Sequence, residues 1–225
     1  MSSAIPIAHA PGRLSVRQES RVEDGQVLHA LLWHAGPGWR MISSAVLGGG
    51  IGERAWVLNA QVAHGYRRVD PGDHLVEVAR GFGAQGNGVG LMTAANVQAY
   101  ALAGDNGVET LVTAGISVRG WAAAQVEAVP VLQAPGTINI MVRVPAALTD
   151  AALVNAVATA TEAKVQALLD AGYDCSGTPT DAVCVAARSP QSGDELHAFA
   201  GPRSVWGGRL ARSVYGAVRE ALPAA

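Results

Sequence analysis

A long helical segment lies between two strand-like segments in the carboxyl-terminal half of the chain. Residues 136–144 are rich in Ile and Val, and residues 182–187 form a second apolar run. Between them, residues 149–171 predict a helix with Thr149 as N-cap and Gly172 as its stop. Strands that alternate with long helices are typical of α/β proteins. We therefore predict a single layered α/β domain with a mixed β-sheet core and packed helices, with a four-layer αββα sandwich as the alternative.

The remaining elements are predicted from weaker patterns. Residues 1–38 alternate weakly around a Glu23-Asp24-Gly25 turn, which predicts N-terminal strands packed on a main domain of residues 39–225. Pro145 is expected to end the strand that starts at residue 136. Further strands are predicted at 39–47, 55–62 and 109–116, and further helices at 73–80, 91–102 and 204–222.

The helix predicted at 149–171 has a calculable apolar face. At ~100° per residue, its large aliphatic side chains share one arc. They are Leu153, Val157, Leu168, Val154, Val165 and Leu169. Thr161 is expected in the middle of this arc, bonded to the Val157 carbonyl, and Thr159 on the polar side. Lys164 and Glu162 are expected at opposite margins, with Lys164 nearer the buried face.

Composition excludes several classes of function. The chain has 225 residues, a formal net charge of −2 and scattered arginines, so it offers no basic stripe for nucleic acid. No apolar run approaches the ~20 residues of a spanning helix, and the first residues do not read as a secretory signal. A cytoplasmic protein without a membrane or nucleic-acid partner is expected. Cys175 and Cys184 are then reduced thiols.

One basic residue stands apart from the others. Of 16 Lys and Arg residues, Lys164 is the only lysine. An ammonium titrates and fits a tight space, whereas a guanidinium stays charged and needs a planar fork. Lys164 is therefore a candidate for a desolvated ammonium held by a carboxylate, with Asp181 as its partner, and the alternative is a side chain that snorkels at the margin of the face.

Four polar motifs follow one another in a fixed order. They are Gly136-Thr137-Ile138-Asn139-Ile140, Thr159-Ala160-Thr161-Glu162-Ala163-Lys164, the run from Cys175 to Ala186 that contains Ser176-Gly177-Thr178-Pro179-Thr180-Asp181, and a closing helix that carries Tyr215. Over roughly residues 40–221 the chain resembles the adenosylcobinamide amidohydrolases. The resemblance implies a hydrolase of a linear amide bond, with a corrinoid as its substrate. It would cleave aminopropanol from adenosylcobinamide to give adenosylcobyric acid, in cobinamide salvage for cobalamin biosynthesis.

The roles of single residues are argued from the chemistry of amide hydrolysis. The reaction needs an activated water or nucleophile, donors for an oxyanion and an acid for the leaving amine. The candidate catalytic residues are Asp181, Thr180, Thr178, Lys164 and Glu162. The candidate substrate-binding residues are Asn139, Thr137, Asn59, Ser176, Gly177, Thr93 and Thr113.

Two other interpretations of these motifs stay open. The run from Ser176 to Asp181 also suits a capped turn before a strand, with no catalytic role. Gly136-Thr137 and Gly177-Thr178 are each a dipeptide whose bond can self-cleave to expose an N-terminal threonine.

No cofactor or metal is expected. Gly50-Ile51-Gly52 and Gly81-Phe82-Gly83 imitate a dinucleotide fingerprint, but neither has a strand before it and a helix after it, and no Gly-Lys-Ser/Thr is present. His64, Asp70, Asp73 and His74 match no metal-ligand spacing and are interpreted as polar loop residues.

Two further functions remain as alternatives to the resemblance. One is a non-catalytic corrinoid-binding module, and the other is an amidase for a different acylated amino alcohol. A homo-oligomer is also left open, because the closing helix carries small residues that suit close packing. They are Gly207, Gly208, Ala211 and Gly216.

Overall fold

Residues 14–125 and 136–223 are described by a computed structural model, and they form two β-sheets with helices on their outer faces. Within this part of the chain the strands are β1 (Arg17–Glu23), β2 (Gln26–His34), β3 (Trp39–Ser43), β4 (Gly50–Glu53), β5 (Trp56–Gln61), β6 (Gly88–Thr93), β7 (Tyr100–Asp105), β8 (Val108–Gly115), β9 (Thr137–Leu148), β10 (Ala182–Arg188) and β11 (Leu196–His197). The helices are α1 (Pro71–Gly81), α2 (Asp150–Asp170) and α3 (Val205–Ala221). No helix among the described residues has the length and apolarity needed to cross a membrane.

Both sheets are mixed. The smaller has the order β1-β2-β5-β6, with β5 and β6 parallel, and the larger has the order β4-β3-β10-β9-β8-β7, with β11 beside β9. In the larger sheet β9 and β10 are parallel neighbours joined through α2, so the predicted strand–helix–strand unit is confirmed. The predicted turn after Glu23 is also confirmed, since Asp24 and Gly25 have φ of 49° and 74° between β1 and β2. Residues 1–13 of the predicted N-terminal segment lie outside the described residues.

Three apolar cores separate four layers. The first joins α1 to the smaller sheet, and it includes Leu32, Leu58, Leu75 and Val78. The second lies between the sheets, and it includes Leu31, Val57, Met41, Leu111 and Met141. The third joins the larger sheet to α2 and α3, and it includes Ile138, Ile140, Leu153, Val185 and Val214. The layered α/β prediction is confirmed, and the arrangement observed is the four-layer αββα sandwich.

The prediction of a helix at residues 91–102 is wrong. This segment contains the end of β6 and the start of β7. β6 pairs with β5 and β7 pairs with β8, so backbone hydrogen bonds to distant strands override the helix propensity of its Ala, Leu and Met residues.

Pro145 does not end its strand. β9 continues to Leu148, and the ladder to β10 shifts register there: Ala187 pairs with Val144, whereas Arg188 pairs with Ala147. A bulge leaves backbone groups outside the regular ladder, so a residue without an N–H is tolerated.

The buried face of α2 also differs from the prediction. It consists of Ala152, Leu153, Ala156, Thr159, Ala160, Ala163, Lys164, Ala167 and Leu168. Val154 and Leu169, both expected inside, are 57% and 45% exposed. Thr161 bonds to the Val157 carbonyl as predicted but is exposed, while Thr159 is buried and donates to Ala200 O at 2.8 Å. Small side chains face the sheet and α3, so the helix packs closely on both.

The small residues of α3 make contacts within the chain. A Cβ on Gly207 would overlap the carbonyl oxygens of Ala200 and Gly201, and one on Gly216 would lie 3.3 Å from Ala103 Cβ. These contacts account for the glycines without a partner subunit.

Candidate functional site

The candidate site lies where β9 and β10 begin. The two strands are parallel neighbours, so their amino-terminal ends lie side by side at the same end of the larger sheet. Thr137 is the first residue of β9, and Asp181 directly precedes β10. The helix α2 leaves the far end of β9 and returns along the sheet, which places Lys164, late in the helix, above this end.

Lys164 and Asp181 form an ion pair with little access to solvent. Lys164 Nζ lies 2.5 Å from Asp181 Oδ2, and the two side chains are 9% and 11% exposed. The predicted pairing is confirmed. Loss of one partner from such a pair leaves a buried charge without compensation.

The Asp181 carboxylate accepts three further hydrogen bonds. Oδ1 accepts from the backbone N–H of Ile138 at 2.9 Å and from Thr178 Oγ1 at 2.5 Å, and Oδ2 also accepts from Thr178 N at 3.2 Å. A carboxylate has about four lone-pair positions. Because Lys164 fills the last of them, the arrangement suits Asp181 for orienting its neighbours better than for taking a proton.

Gly177 passes directly over the ion pair. Its φ is 148°, which disfavours any residue with a Cβ. A Cβ built there would overlap Asp181 Oδ2 and lie 2.5 Å from Lys164 Nζ. Glycine is therefore required by both the backbone and the available space.

Two hydroxyls form a chain that ends on a backbone carbonyl. Thr137 Oγ1 and Thr180 Oγ1 are 2.6 Å apart, and Thr180 Oγ1 donates to Gly136 O at 3.2 Å. A carbonyl can only accept, so the single proton of Thr180 points to Gly136 and Thr137 is the donor in the shorter bond. Thr137 is 3% exposed.

A buried amide network lies between the two sheets. Asn139 Nδ2 donates to Asn59 Oδ1 at 2.8 Å and to Met92 O at 3.2 Å, and Asn59 Nδ2 donates to Thr113 Oγ1 at 2.9 Å. Both asparagines are fully buried, and Asn139 Oδ1 has no hydrogen-bond partner in the part of the chain that is described.

Three predicted residues lie apart from these groups. Glu162 is exposed, two positions from Lys164 and so on a different side of α2. Ser176 Oγ donates to Gly120 O and accepts from Ala122 N, which anchors that loop. Thr93 Oγ1 accepts from Ala95 N at 3.0 Å and caps the turn after β6.

His74 and Asp70, two of the four polar residues considered as metal ligands, take part in side-chain contacts. His74 is buried, with Nδ1 2.9 Å from Tyr66 OH and Nε2 3.0 Å from Glu23 Oε1. Arg68 binds Asp70 and lowers the pKa of this carboxyl to about 2. No group of three or more His, Cys, Asp or Glu residues that could hold a metal occurs within residues 14–125 and 136–223.

Sequence reasoning missed two serines beside the site. Ser43 Oγ donates to Val183 O at 2.9 Å, and Ser44 Oγ accepts from Val183 N at 3.1 Å, which fixes the backbone two residues after Asp181. No local signal predicts contacts across 140 residues of sequence. Cys175 and Cys184 are free thiols, as predicted. Both are buried, and burial raises the pKa of the Cys184 thiol to about 12.

Comparisons with known proteins identify the family. The sequence model of the adenosylcobinamide amidohydrolase family matches residues 13–225. The chain belongs to this family. It is 36% identical over 143 residues to the adenosylcobinamide amidohydrolase of Methanosarcina mazei. The aligned region covers 64% of this chain and 67% of that protein. Among solved structures, the PH0078 protein from Pyrococcus horikoshii OT3 is 14% identical with a TM-score of 0.47, covering 92% of this chain and 82% of that one.

The amidohydrolase also has a cavity away from these polar groups. It measures about 740 Å³ and is lined by Arg54, Trp56, Arg80 and Gly88 together with neighbouring loop residues. No predicted site residue lines it. The candidate active site of this amidohydrolase is therefore assigned from the hydrogen-bonded polar side chains where β9 and β10 begin, and not from cavity size.

Proposed function

We propose that this amidohydrolase cleaves the amide that joins aminopropanol to the corrin propionyl side chain of adenosylcobinamide. Water is consumed, and the products are adenosylcobyric acid and aminopropanol, a step in cobinamide salvage for cobalamin biosynthesis. The observation that carries the proposal is the ion pair of the buried Lys164 with Asp181, which also accepts from Thr178, in a chain that the family matches from residue 13 to residue 225.

In this proposal Asp181 is a positioning residue. It holds the Lys164 ammonium at 2.5 Å and the Thr178 hydroxyl at 2.5 Å, and the Ile138 amide holds Asp181 in turn. Its lone pairs are occupied by these partners, so the proposal assigns the base that activates the nucleophile to a different group.

Lys164 is proposed to act on the reacting amide. An ammonium has three N–H donors. Among the described residues Lys164 donates to Asp181 alone, which leaves the other two donors for the substrate. A fixed cation in a site that excludes water stabilises the oxyanion that develops on the amide oxygen. The Thr178 hydroxyl lies beside it, held by the same carboxylate.

Substrate binding is proposed for the amide network between the sheets. Asn139 Oδ1 is buried and unpartnered within the described residues, and such an atom loses free energy unless a donor reaches it. In this proposal the donor is a side-chain amide N–H of the corrinoid, which has to enter between the two sheets because Asn139 is fully buried. Asn59 and Thr113 hold Asn139 in place. Glu162, exposed on α2, is assigned no step.

The test is incubation of the purified protein with adenosylcobinamide, followed by chromatography for adenosylcobyric acid and aminopropanol. We expect both products in equal amounts, and their loss in Lys164→Ala. Tight binding of unchanged substrate would instead support a corrinoid-binding module. Turnover of a simple acylated amino alcohol, with adenosylcobinamide untouched, would support a different amidase.

A further inference from the structure

We propose a second activity for this chain: cleavage of its own peptide bond between Gly136 and Thr137, which makes Thr137 an amino terminus. Thr137 begins β9 and is 3% exposed, and its hydroxyl is bonded to Thr180. A threonine hydroxyl beside its own preceding carbonyl is the nucleophile of an N-to-O acyl shift, and the free amine then serves as its base.

The hydroxyl chain supplies the proton path for this shift. Thr180 donates to Gly136 O and, because it has one proton, must accept from Thr137. As Thr137 Oγ1 attacks the carbonyl carbon of Gly136, its proton passes to Thr180 Oγ1. The proton of Thr180 passes to Gly136 O. The tetrahedral intermediate is thus formed without net charge, and Thr180 ends with the one proton it began with.

The remaining steps need only water. The carbon–nitrogen bond between Gly136 and Thr137 breaks, and the intermediate's hydroxyl proton goes to the departing nitrogen. Gly136 is left as an ester on Thr137 Oγ1. Water hydrolyses this ester to the Gly136 carboxylate and the free Thr137 hydroxyl. No oxidant, reductant or cofactor is consumed.

The residue before Thr137 is fixed by its surroundings. A Cβ on Gly136 would lie 2.7 Å from Gly115 O and 2.9 Å from Val118 O, so only glycine allows the backbone to sit there. This close approach holds the carbonyl that Thr180 contacts. The bond to be cleaved is therefore positioned from both sides.

The other Gly-Thr dipeptide lacks this arrangement. Gly177 O accepts from the backbone N–H of Gly120 at 3.1 Å, and the Thr178 hydroxyl donates to Asp181 at 2.5 Å. Within residues 14–125 and 136–223, no hydroxyl relay joins the Thr178 hydroxyl to the Gly177 carbonyl. The bond at 177 should stay intact and serves as an internal control.

Cleavage would supply a group that the hydrolysis of substrate requires. The amine of Thr137 would be next to Ile138, whose N–H binds Asp181 Oδ1. A neutral α-amine is a base of the strength needed near neutral pH, whereas Asp181 has no free lone pair. This consequence rests on the proposed function, but the cleavage itself does not.

The experiment is intact-mass spectrometry of the freshly purified full chain and of samples incubated over several days. We expect fragments 1–136 and 137–225, and N-terminal sequencing of the second that reads Thr-Ile-Asn-Ile. An uncleaved chain of 225 residues throughout would overturn the proposal. So would cleavage at any other bond with 136–137 intact.

Variants separate self-cleavage from a contaminating protease. Thr137→Ala should stay intact, Thr137→Ser should cleave, and Thr180→Val should cleave at least about 10-fold more slowly. The exposed hydroxyl of Thr161 gives the control, since Thr161→Val should cleave like the parent. Circular dichroism checks that each variant is folded. Turnover of adenosylcobinamide by a chain that stays uncleaved would reject self-cleavage alone, whereas cleavage without turnover would reject the proposed function alone.

Discussion

Lys164 Nζ and Asp181 Oδ2 are 2.5 Å apart, and they join the buried face of α2 to the start of β10. The pair lies under Gly177, with both side chains about one-tenth exposed. The one lysine of the chain is thus held in a space that admits no larger cation without displacing the backbone above it.

This space makes Lys164→Arg a severe change. The guanidinium is larger, planar and cannot give up a proton, so we expect kcat to fall about 10²-fold, nearly as far as in Lys164→Ala. Steady-state kinetics with adenosylcobinamide measures it. The matched control is Arg203→Lys at an exposed position, which should leave kcat unchanged. An Lys164→Arg protein with parental turnover would show that only the positive charge matters.

Asp181→Asn should affect turnover and stability together. We expect kcat to drop by about 10²-fold or more, because Lys164 and Thr178 lose the group that orients them. The free energy of unfolding should fall by about 3 kcal/mol, since a buried ammonium loses its counter-charge. Urea denaturation measures the second effect, and Asp24→Asn, at an exposed turn, is the control. Unchanged stability would mean that the pair is solvated.

A comparison of Gly177→Ala with Gly172→Ala distinguishes the cost of backbone strain from the cost of steric overlap between the new methyl group and its neighbours. Both glycines have positive φ, 148° and 83°, but a Cβ meets nothing within 4 Å at Gly172. Gly172→Ala should therefore cost about 1 kcal/mol of unfolding free energy and keep its activity. Gly177→Ala should cost more and lose activity, because the methyl group would displace Asp181 and Lys164. If the two variants had equal effects on the denaturation midpoint and on turnover, steric overlap of the methyl group with Asp181 and Lys164 would be unimportant.

The amide network should contribute measurably to stability. Asn59→Ala removes the acceptor of Asn139 Nδ2 and the donor to Thr113, and each buried group left unpaired costs about 1–3 kcal/mol. We expect a clear fall in the denaturation midpoint, whereas Asn87→Ala at an exposed position should have little effect. A midpoint equal to that of the parent would indicate that water replaces the lost bonds.

Hydrolysis should survive exhaustive chelation. The described residues offer no cluster of three metal-ligating side chains, and the polar groups at the site are a lysine, a carboxylate and hydroxyls. Metal analysis of the purified protein should find no stoichiometric ion. Activity that is lost on chelation and restored by one added divalent ion would contradict this.

The sequence predicted the contact between Lys164 and Asp181, but it did not predict which face of α2 is buried. Lys164 stands out as the one lysine of the chain, and Asp181 as the carboxylate of a hydroxyl-rich run just before an apolar strand, so a pairing between them could be predicted. The predicted buried face of α2 was wrong by roughly a third of a turn, because side-chain size was taken as the measure of burial and the packed face is mainly alanine. The contacts of Ser43, Ile138 and Asn59 depend on strand register between distant segments, which periodicity does not encode.

The alanine face of α2 has a consequence for the chemistry. Ala160, Ala163 and Ala167 are the side chains between the helix axis and its neighbours near Lys164, so methyl groups set how far the helix stands from the sheet. Residues without polar side-chain atoms therefore determine where the Lys164 ammonium lies. Ala163→Val would push the helix away from the sheet and lengthen the distance between Lys164 Nζ and Asp181 Oδ2. Turnover would then fall because of a change within the apolar core.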